Sequence, residues 1–151
     1  MKQTCSKEMT ELNRAYKETE YIYSQYAASC GVSTTTLCLL YSLYTEEMAC
    51  TQTQLVADWG IPMQTINSCL KNLEKDGLLR LEYRAGNKKS KYISLTAEGE
   101  AVCDRIVGPM VQAENAAFAE LAAEEQNLLL RTLRKHNGLL RAKMLHTGER
   151  N

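Results

Sequence analysis

The chain has 151 residues, with 18 Lys and Arg against 18 Asp and Glu, 44% hydrophobic and 24% charged residues, the profile of one soluble globular domain. A chain this long buries enough surface to fold without disulfides or a metal, and its 2 Pro and 8 Gly exclude a collagenous or linker-rich protein and argue against an all-β fold. A mainly α fold is expected.

The opening residues MKQTCSKEMTELNR hold no apolar run of the kind a secretory leader needs. The longest apolar run, about five residues around 37–41, is far below the ~18 required to span a bilayer. The expectation is a cytoplasmic protein with no membrane partner. Cys5, Cys30, Cys38, Cys50, Cys69 and Cys103 form no C-x-x-C pair and mostly lie in apolar stretches, so they read as reduced core thiols.

In chain order, Met9, Leu12, Tyr16, Thr19, Tyr23 and Tyr26 recur at helical spacing opposite Glu8, Glu11, Arg14, Lys17, Glu18 and Glu20, which predicts a long amphipathic helix ending at Gly31. Ser33 is the expected N-cap of a second helix, with Leu37, Leu40, Tyr41 and Tyr44 on its buried stripe. The stretch 51–77 then contains two short helices. Thr51 and Gln54 form a capping box opening the first, whose apolar face is Leu55, Val56 and Trp59. Gly60 makes the turn, Pro62 suits the first position of the second helix, and Ile66, Cys69, Leu70 and Leu73 form its buried stripe up to Gly77. Helices joined this tightly make a helix-turn-helix.

After Gly77 the period changes to two: Leu79, Leu81 and Tyr83 alternate with Arg80, Glu82 and Arg84, Gly86-Asn87 turns the chain, and 91–95 alternates again. That predicts a β-hairpin. Thr96 caps a further helix over 97–122, expected to bend near Gly108-Pro109, and a last helix begins at Glu124 with Leu128, Leu129, Leu133, Leu139 and Leu140 on its apolar side.

Zero net charge hides an asymmetry. Residues 51–96 carry seven cations against four anions, and the eight residues 84–91 (RAGNKKSK) hold four cations and no anion, which predicts a local anion-binding finger rather than a wholly basic protein.

A helix-turn-helix followed by a basic hairpin is a winged helix, and its physics suits duplex DNA. The second helix fits the major groove, where Met63, Gln64, Thr65, Asn67 and Ser68 meet base edges and Gln64 and Asn67 offer the donor and acceptor that adenine requires. Lys71 and Asn72, a turn further on, fall to phosphates, as do the backbone N–H groups and hydroxyls at Thr51 and Thr53. Arg84, Lys88, Lys89 and Lys91, with Asn87 at the turn, bring charge to the backbone or the minor groove. The competing reading is a winged-helix protein-interaction module that binds no DNA.

The sequence resembles the MarR family of bacterial winged-helix regulators over nearly the whole chain, 1–151. The resemblance is carried by 53–62 (TQLVADWGIP), by 64–77 (QTINSCLKNLEKDG), by Leu95-Thr96-Ala97-Glu98-Gly99 and by 122–137 (AAEEQNLLLRTLRKHN). It implies a winged part at 34–96 flanked by dimerisation helices at 1–30 and 97–147, in a homodimer that binds a pseudo-palindromic operator, most simply as a repressor. It also implies release of DNA by a small phenolic or lipophilic ligand, or, in a subset of relatives, by cysteine oxidation. Two positions depart from the family pattern. Ala85-Gly86-Asn87-Lys88-Lys89 stands where many relatives have an Asp-x-Arg wing signature, and Ser68 stands where an arginine is frequent.

Among the remaining candidates, Tyr16, Tyr23, Tyr26, Tyr41 and Tyr44 combine packing with phenol groups able to hold an effector. Cys5 is the thiol most open to oxidation. His136 and His146 have no neighbours at metal-ligand spacing, and no nucleophile elbow, P-loop or carboxylate pair is present, so neither a metal, a cofactor nor an enzyme is expected.

Overall fold

The computed structural model describes residues 4–45, 50–84 and 87–145, with backbone alone at 84 and 87–90. The chain forms two compact units, Met1–Pro109 and Met110–Asn151.

In the first unit, helix α1 (Lys7–Ser29) starts where the Ser6 hydroxyl accepts the Met9 N–H at 3.1 Å and stops before Gly31, whose φ of 72° is the left-handed conformation glycine adopts freely. Helix α2 (Thr34–Thr45) opens on Ser33, whose hydroxyl accepts the Thr36 N–H at 3.0 Å. It buries Leu37, Leu39, Leu40 and Ser42. Tyr41 is half-buried and Tyr44 exposed, so the stripe expected to run through both tyrosines lies one position toward Leu39.

A strand too short for any periodicity to announce, β1 (Cys50–Thr51), precedes α3 (Gln52–Trp59). Both halves of the expected Thr51/Gln54 capping box are formed. Gly60 (φ 63°) then turns the chain into α4 (Met63–Lys75). Pro62 is the N-cap of α4, one residue earlier than expected; its ψ of 138° keeps it outside the helix. The hairpin follows as β2 (Leu79–Arg84) and β3 (Asn87–Leu95). Asn87 belongs to the strand and not to the turn, and Ala85 and Gly86 lie outside the described residues. β1 joins the other edge of β3, giving the antiparallel order β1-β3-β2.

Helix α5 (Ala97–Ala119) is capped by Thr96, whose hydroxyl accepts the Gly99 N–H at 3.0 Å and donates to the Gly77 carbonyl at 2.6 Å. One side chain thereby ties the end of α4 to the end of the hairpin. Pro109 sits inside α5, where it removes one backbone donor. The most fully enclosed side chains of the first unit's core are Leu39 and Leu40 from α2, Leu55 from α3, Ile66 and Leu70 from α4, Leu79 and Ile93 from the hairpin, and Cys103 and Val107 from α5. At about 1.5–3 kcal/mol for each large aliphatic side chain buried, these dominate its stability.

The second unit comprises the end of α5 and helix α6 (Ala123–Leu145). Its turn is closed by Gln126, which donates to the Phe118 and Leu121 carbonyls at 3.0 and 2.9 Å, and by Glu125, which accepts the Ala122 N–H at 2.8 Å. No α6 residue is buried, and Leu128, Leu129, Leu130, Leu139, Met144 and Leu145 are exposed. Among the described residues no helix is long and apolar enough to cross a membrane.

Candidate nucleic-acid interface

Helix α4 carries the sharpest division of faces in the chain. Ile66, Leu70 and Leu73 recur at helical spacing and are buried, whereas Met63, Gln64, Thr65, Ser68, Lys71 and Asn72 are exposed. Its position is set by contacts that hold α3 on α2. Trp59 at the end of α3 donates its indole N–H to the buried Ser42 hydroxyl at 2.7 Å, and its ring meets the Tyr41 ring edge-on at 6.0 Å. Trp59 itself stays exposed, so it acts as a clasp at the rim and not as the core residue the spacing indicated.

The N-terminus of α4 differs from those of α1, α3 and α5, because no side chain caps it. The Pro62 carbonyl accepts from Thr65 and Ile66, and the first residues of the helix, Met63 and Gln64, whose N–H groups precede the intrahelical ladder, are exposed. This end can accept an anion and presents Gln64 and Thr65 to the same partner. Ser68 donates back to the Gln64 carbonyl at 3.0 Å, which leaves its oxygen as an acceptor.

Two α4 side chains differ from expectation. Asn67 is half-buried and its Oδ1 is occluded without a partner among the described residues, so the paired donor and acceptor expected from it are not both at the surface. Cys69 is half-buried, with its sulfur 3.4 Å from the Thr36 hydroxyl at the meeting of α2 and α4, and not a fully enclosed core thiol.

At the start of α3, the Thr51 hydroxyl is engaged by Gln54 while Thr53 is exposed in the first turn. On the hairpin, Lys91 is exposed with its ammonium 5.6 Å from the Tyr83 ring centre. The side chains of Arg84, Asn87, Lys88 and Lys89 lie outside the described residues, although β2 and β3 carry their backbone to the hairpin tip.

The tyrosines divide into two sets. Tyr26 donates its phenol to the Ile106 carbonyl at 2.7 Å, and Tyr44 donates to Asp104 at 2.8 Å, so two phenols meet one short stretch of α5. Burial and a hydrogen bond with Cys30 push the Tyr26 phenol above its usual pKa, and the bond to Asp104 does the same for Tyr44. Tyr16 is exposed on α1, Tyr23 is half-buried, and Tyr41 packs on Trp59.

The six cysteines are free. Cys50 and Cys103 are buried, Cys30 and Cys38 half-buried and Cys5 exposed. Burial first, then the Asp104 and Glu100 charges, push Cys103 up to about 11. His136 keeps an occluded Nδ1 without a partner among the described residues, and His146 lies outside them.

The motifs around α4 were visible in the sequence. The Trp59–Ser42 clasp was not, although a lone tryptophan at the end of a short helix beside a turn glycine was its available signal. Tyr83 was also passed over, because its alternation with Leu79 and Leu81 reads as core.

No family model matches the chain. It is 34% identical over 71 residues to the transcriptional regulator HosA of Escherichia coli, which is 47% of this chain and 53% of that protein. The chain thus spans about half the length of the curated relatives it matches. Its fold superposes with a TM-score of 0.81 on the MarR family regulator NMB1585 from Neisseria meningitidis, at 18% identity, over 94% of this chain and 99% of that one. A MarR family regulator from Listeria monocytogenes, complexed with 26mer DNA, superposes with a TM-score of 0.72 at 20% identity, over 100% of this chain and 99% of that one. The chain has the winged helix-turn-helix fold of the MarR family regulators.

Proposed function

We propose that the chain is a DNA-binding transcriptional regulator of the MarR family, a repressor that binds a pseudo-palindromic operator as a homodimer in the cytoplasm. The observation that carries this reading is the uncapped, exposed and polar N-terminal face of α4, clasped in place through α3 and followed by a hairpin of cationic sequence. The exposed residues Met63, Gln64, Thr65 and Ser68 have the chemistry of a major-groove reader. Lys71, Asn72 and Thr53 border them as phosphate contacts, and the Listeria protein of the same fold is complexed with DNA. Dimerisation is supported by the apolar side chains exposed along α6 and by Tyr21 and Ile22 on α1. The reading assigns the chain no reaction and no cofactor.

Effector control belongs to the same proposal. A small phenolic or lipophilic ligand that displaced the Tyr26 or Tyr44 phenol from α5 would act where α1, α2 and α5 meet, next to the helices that support α4. An oxidation switch at Cys5 is the competing reading.

The test is a gel shift with duplex DNA flanking the chain's own gene against shuffled duplex of the same composition, at near-physiological salt. Selective retardation, relieved by phenolic compounds in wild type and Cys5→Ser alike, is expected. Equal retardation of both duplexes, or none, would overturn the DNA-reading function. Relief by peroxide in wild type but not in Cys5→Ser, with no compound active, would replace effector control by thiol oxidation.

A further inference from the structure

The pairing of the hairpin places Leu79 opposite Leu95, Leu81 opposite Ile93 and Tyr83 opposite Lys91. These pairs share one face, since successive side chains of a strand alternate. Its inner pairs are covered: Leu79 and Ile93 are buried, and Leu81 and Leu95 half-buried. The third pair extends past the helices. Tyr83 is 57% exposed, so its ring covers little of the core, and Lys91 is exposed beside it with its ammonium 5.6 Å from the ring centre. It is also the last regular pair, because the register shifts between Tyr83 and Arg84. Among the described residues Lys91 makes no ion pair.

We propose that Tyr83 is a positioning residue that holds Lys91 for a DNA phosphate. The proposal rests on the DNA-binding reading and deepens it at the wing. A lysine ammonium on a flexible four-carbon stem loses much rotamer freedom when it is fixed on a phosphate. A ring that already restrains the stem lowers that cost, and a cation over a ring face keeps its remaining N–H donors for an anion on the other side. The register shifts just beyond Tyr83, so Tyr83–Lys91 is the last pair of the hairpin held in regular register. The ring face, not the hydroxyl, does the positioning.

The experiment measures affinity of the full-length chain for one retarded duplex across a salt series, with Tyr83→Phe, Tyr83→Leu, Lys91→Ala and the Tyr83→Leu/Lys91→Ala double variant. Thermal melting establishes that each is folded. Phe keeps the ring and should match the wild type, whereas Leu should weaken binding about threefold or more. Tyr83→Leu and Lys91→Ala should both flatten the salt dependence, and Tyr83→Leu should have no further effect once Lys91 is gone. A merely structural tyrosine would lower the melting temperature without moving the salt slope. Additive losses in the double variant, or Tyr83→Phe as weak as Tyr83→Leu, would overturn the positioning role while wild-type binding left the DNA reading intact. Failure of the wild type to retard any duplex would remove the DNA reading itself, and this inference with it.

Discussion

A Cβ built on Gly99 would lie 1.9 Å from the Leu78 carbonyl oxygen, which is backbone and cannot swing aside. Gly99→Ala must therefore push α5 from the chain entering β2, and it is expected to destabilise the fold by about 2–4 kcal/mol. Urea unfolding of the two proteins checks this: the midpoint should fall with the slope unchanged. The stretch Leu95-Thr96-Ala97-Glu98-Gly99 was legible as a helix start because Thr is a recognisable N-cap. The clash that makes Gly99 necessary was not, since it depends on Leu78, distant in sequence. A second residue-scale expectation concerns Cys103, whose pKa in the fold is about 11 against an ordinary 9.0. Its thiol prefers the neutral form when folded, so its contribution is intact below pH 9 and is lost as pH rises through about 11. Tyr26, Tyr44 and Cys38 are shifted in the same direction, so the wild type and Cys103→Ala both weaken in alkali. The wild type should lose more urea resistance than Cys103→Ala between pH 9 and 11; equal losses would contradict the shift.

In the proposed DNA-binding function, helix α4 and the hairpin have different parts, and substitutions should separate them. Gln64, exposed in the first turn of α4, is expected to read a base edge, so Gln64→Ala should relax preference at one base position by about 1–3 kcal/mol. Lys88→Ala with Lys89→Ala removes charge from the tip and should weaken all duplexes alike, flattening the salt slope by about one unit per lost phosphate contact. A selection of bound sequences together with a salt titration distinguishes the two, and an unchanged preference in Gln64→Ala would move the reading face elsewhere. The location of these elements was legible for physical reasons: a capping box, a turn glycine and a change of period from 3.6 to 2 are local signals. The two-residue β1 was not, because it exists only through pairing with β3. Nor was the occlusion of the Asn67 Oδ1, because a residue at the border of an apolar stripe is exposed or covered according to what packs beside it. Cys69 and Pro62 were each misplaced by the same kind of margin, one in depth and one in position along the helix.

For the molecule as a whole, the proposed dimer rests on the apolar side chains exposed along α6. Leu128, Leu129, Leu130 and Leu139 are each 41–53% exposed, and apolar surface left to water in this way is unfavourable at about 25 cal/mol for each Å² that a partner could cover. Sedimentation should therefore give twice the 17.0 kDa chain mass, and a stable monomer at micromolar concentration would contradict the proposed assembly. In the proposed dimer, two-fold symmetry constrains the DNA. A rotation that exchanges the chains exchanges their α4 helices, so each half of the operator must present the same base edges in opposite direction along the duplex. Two helices entering successive major grooves on one side of B-DNA lie about one helical turn apart, which requires half-site centres separated by ~10 bp. The expected footprint is an inverted repeat with matching protection on the two strands, and inserting five base pairs between its halves should abolish tight binding by turning one half-site to the far side of the duplex. Restoring a full turn with ten should recover only what a rigid pair of helices can still reach, which is one half-site. Direct repeats, or one protected half-site of full affinity, would exclude the symmetric mode and leave each winged unit reading DNA alone.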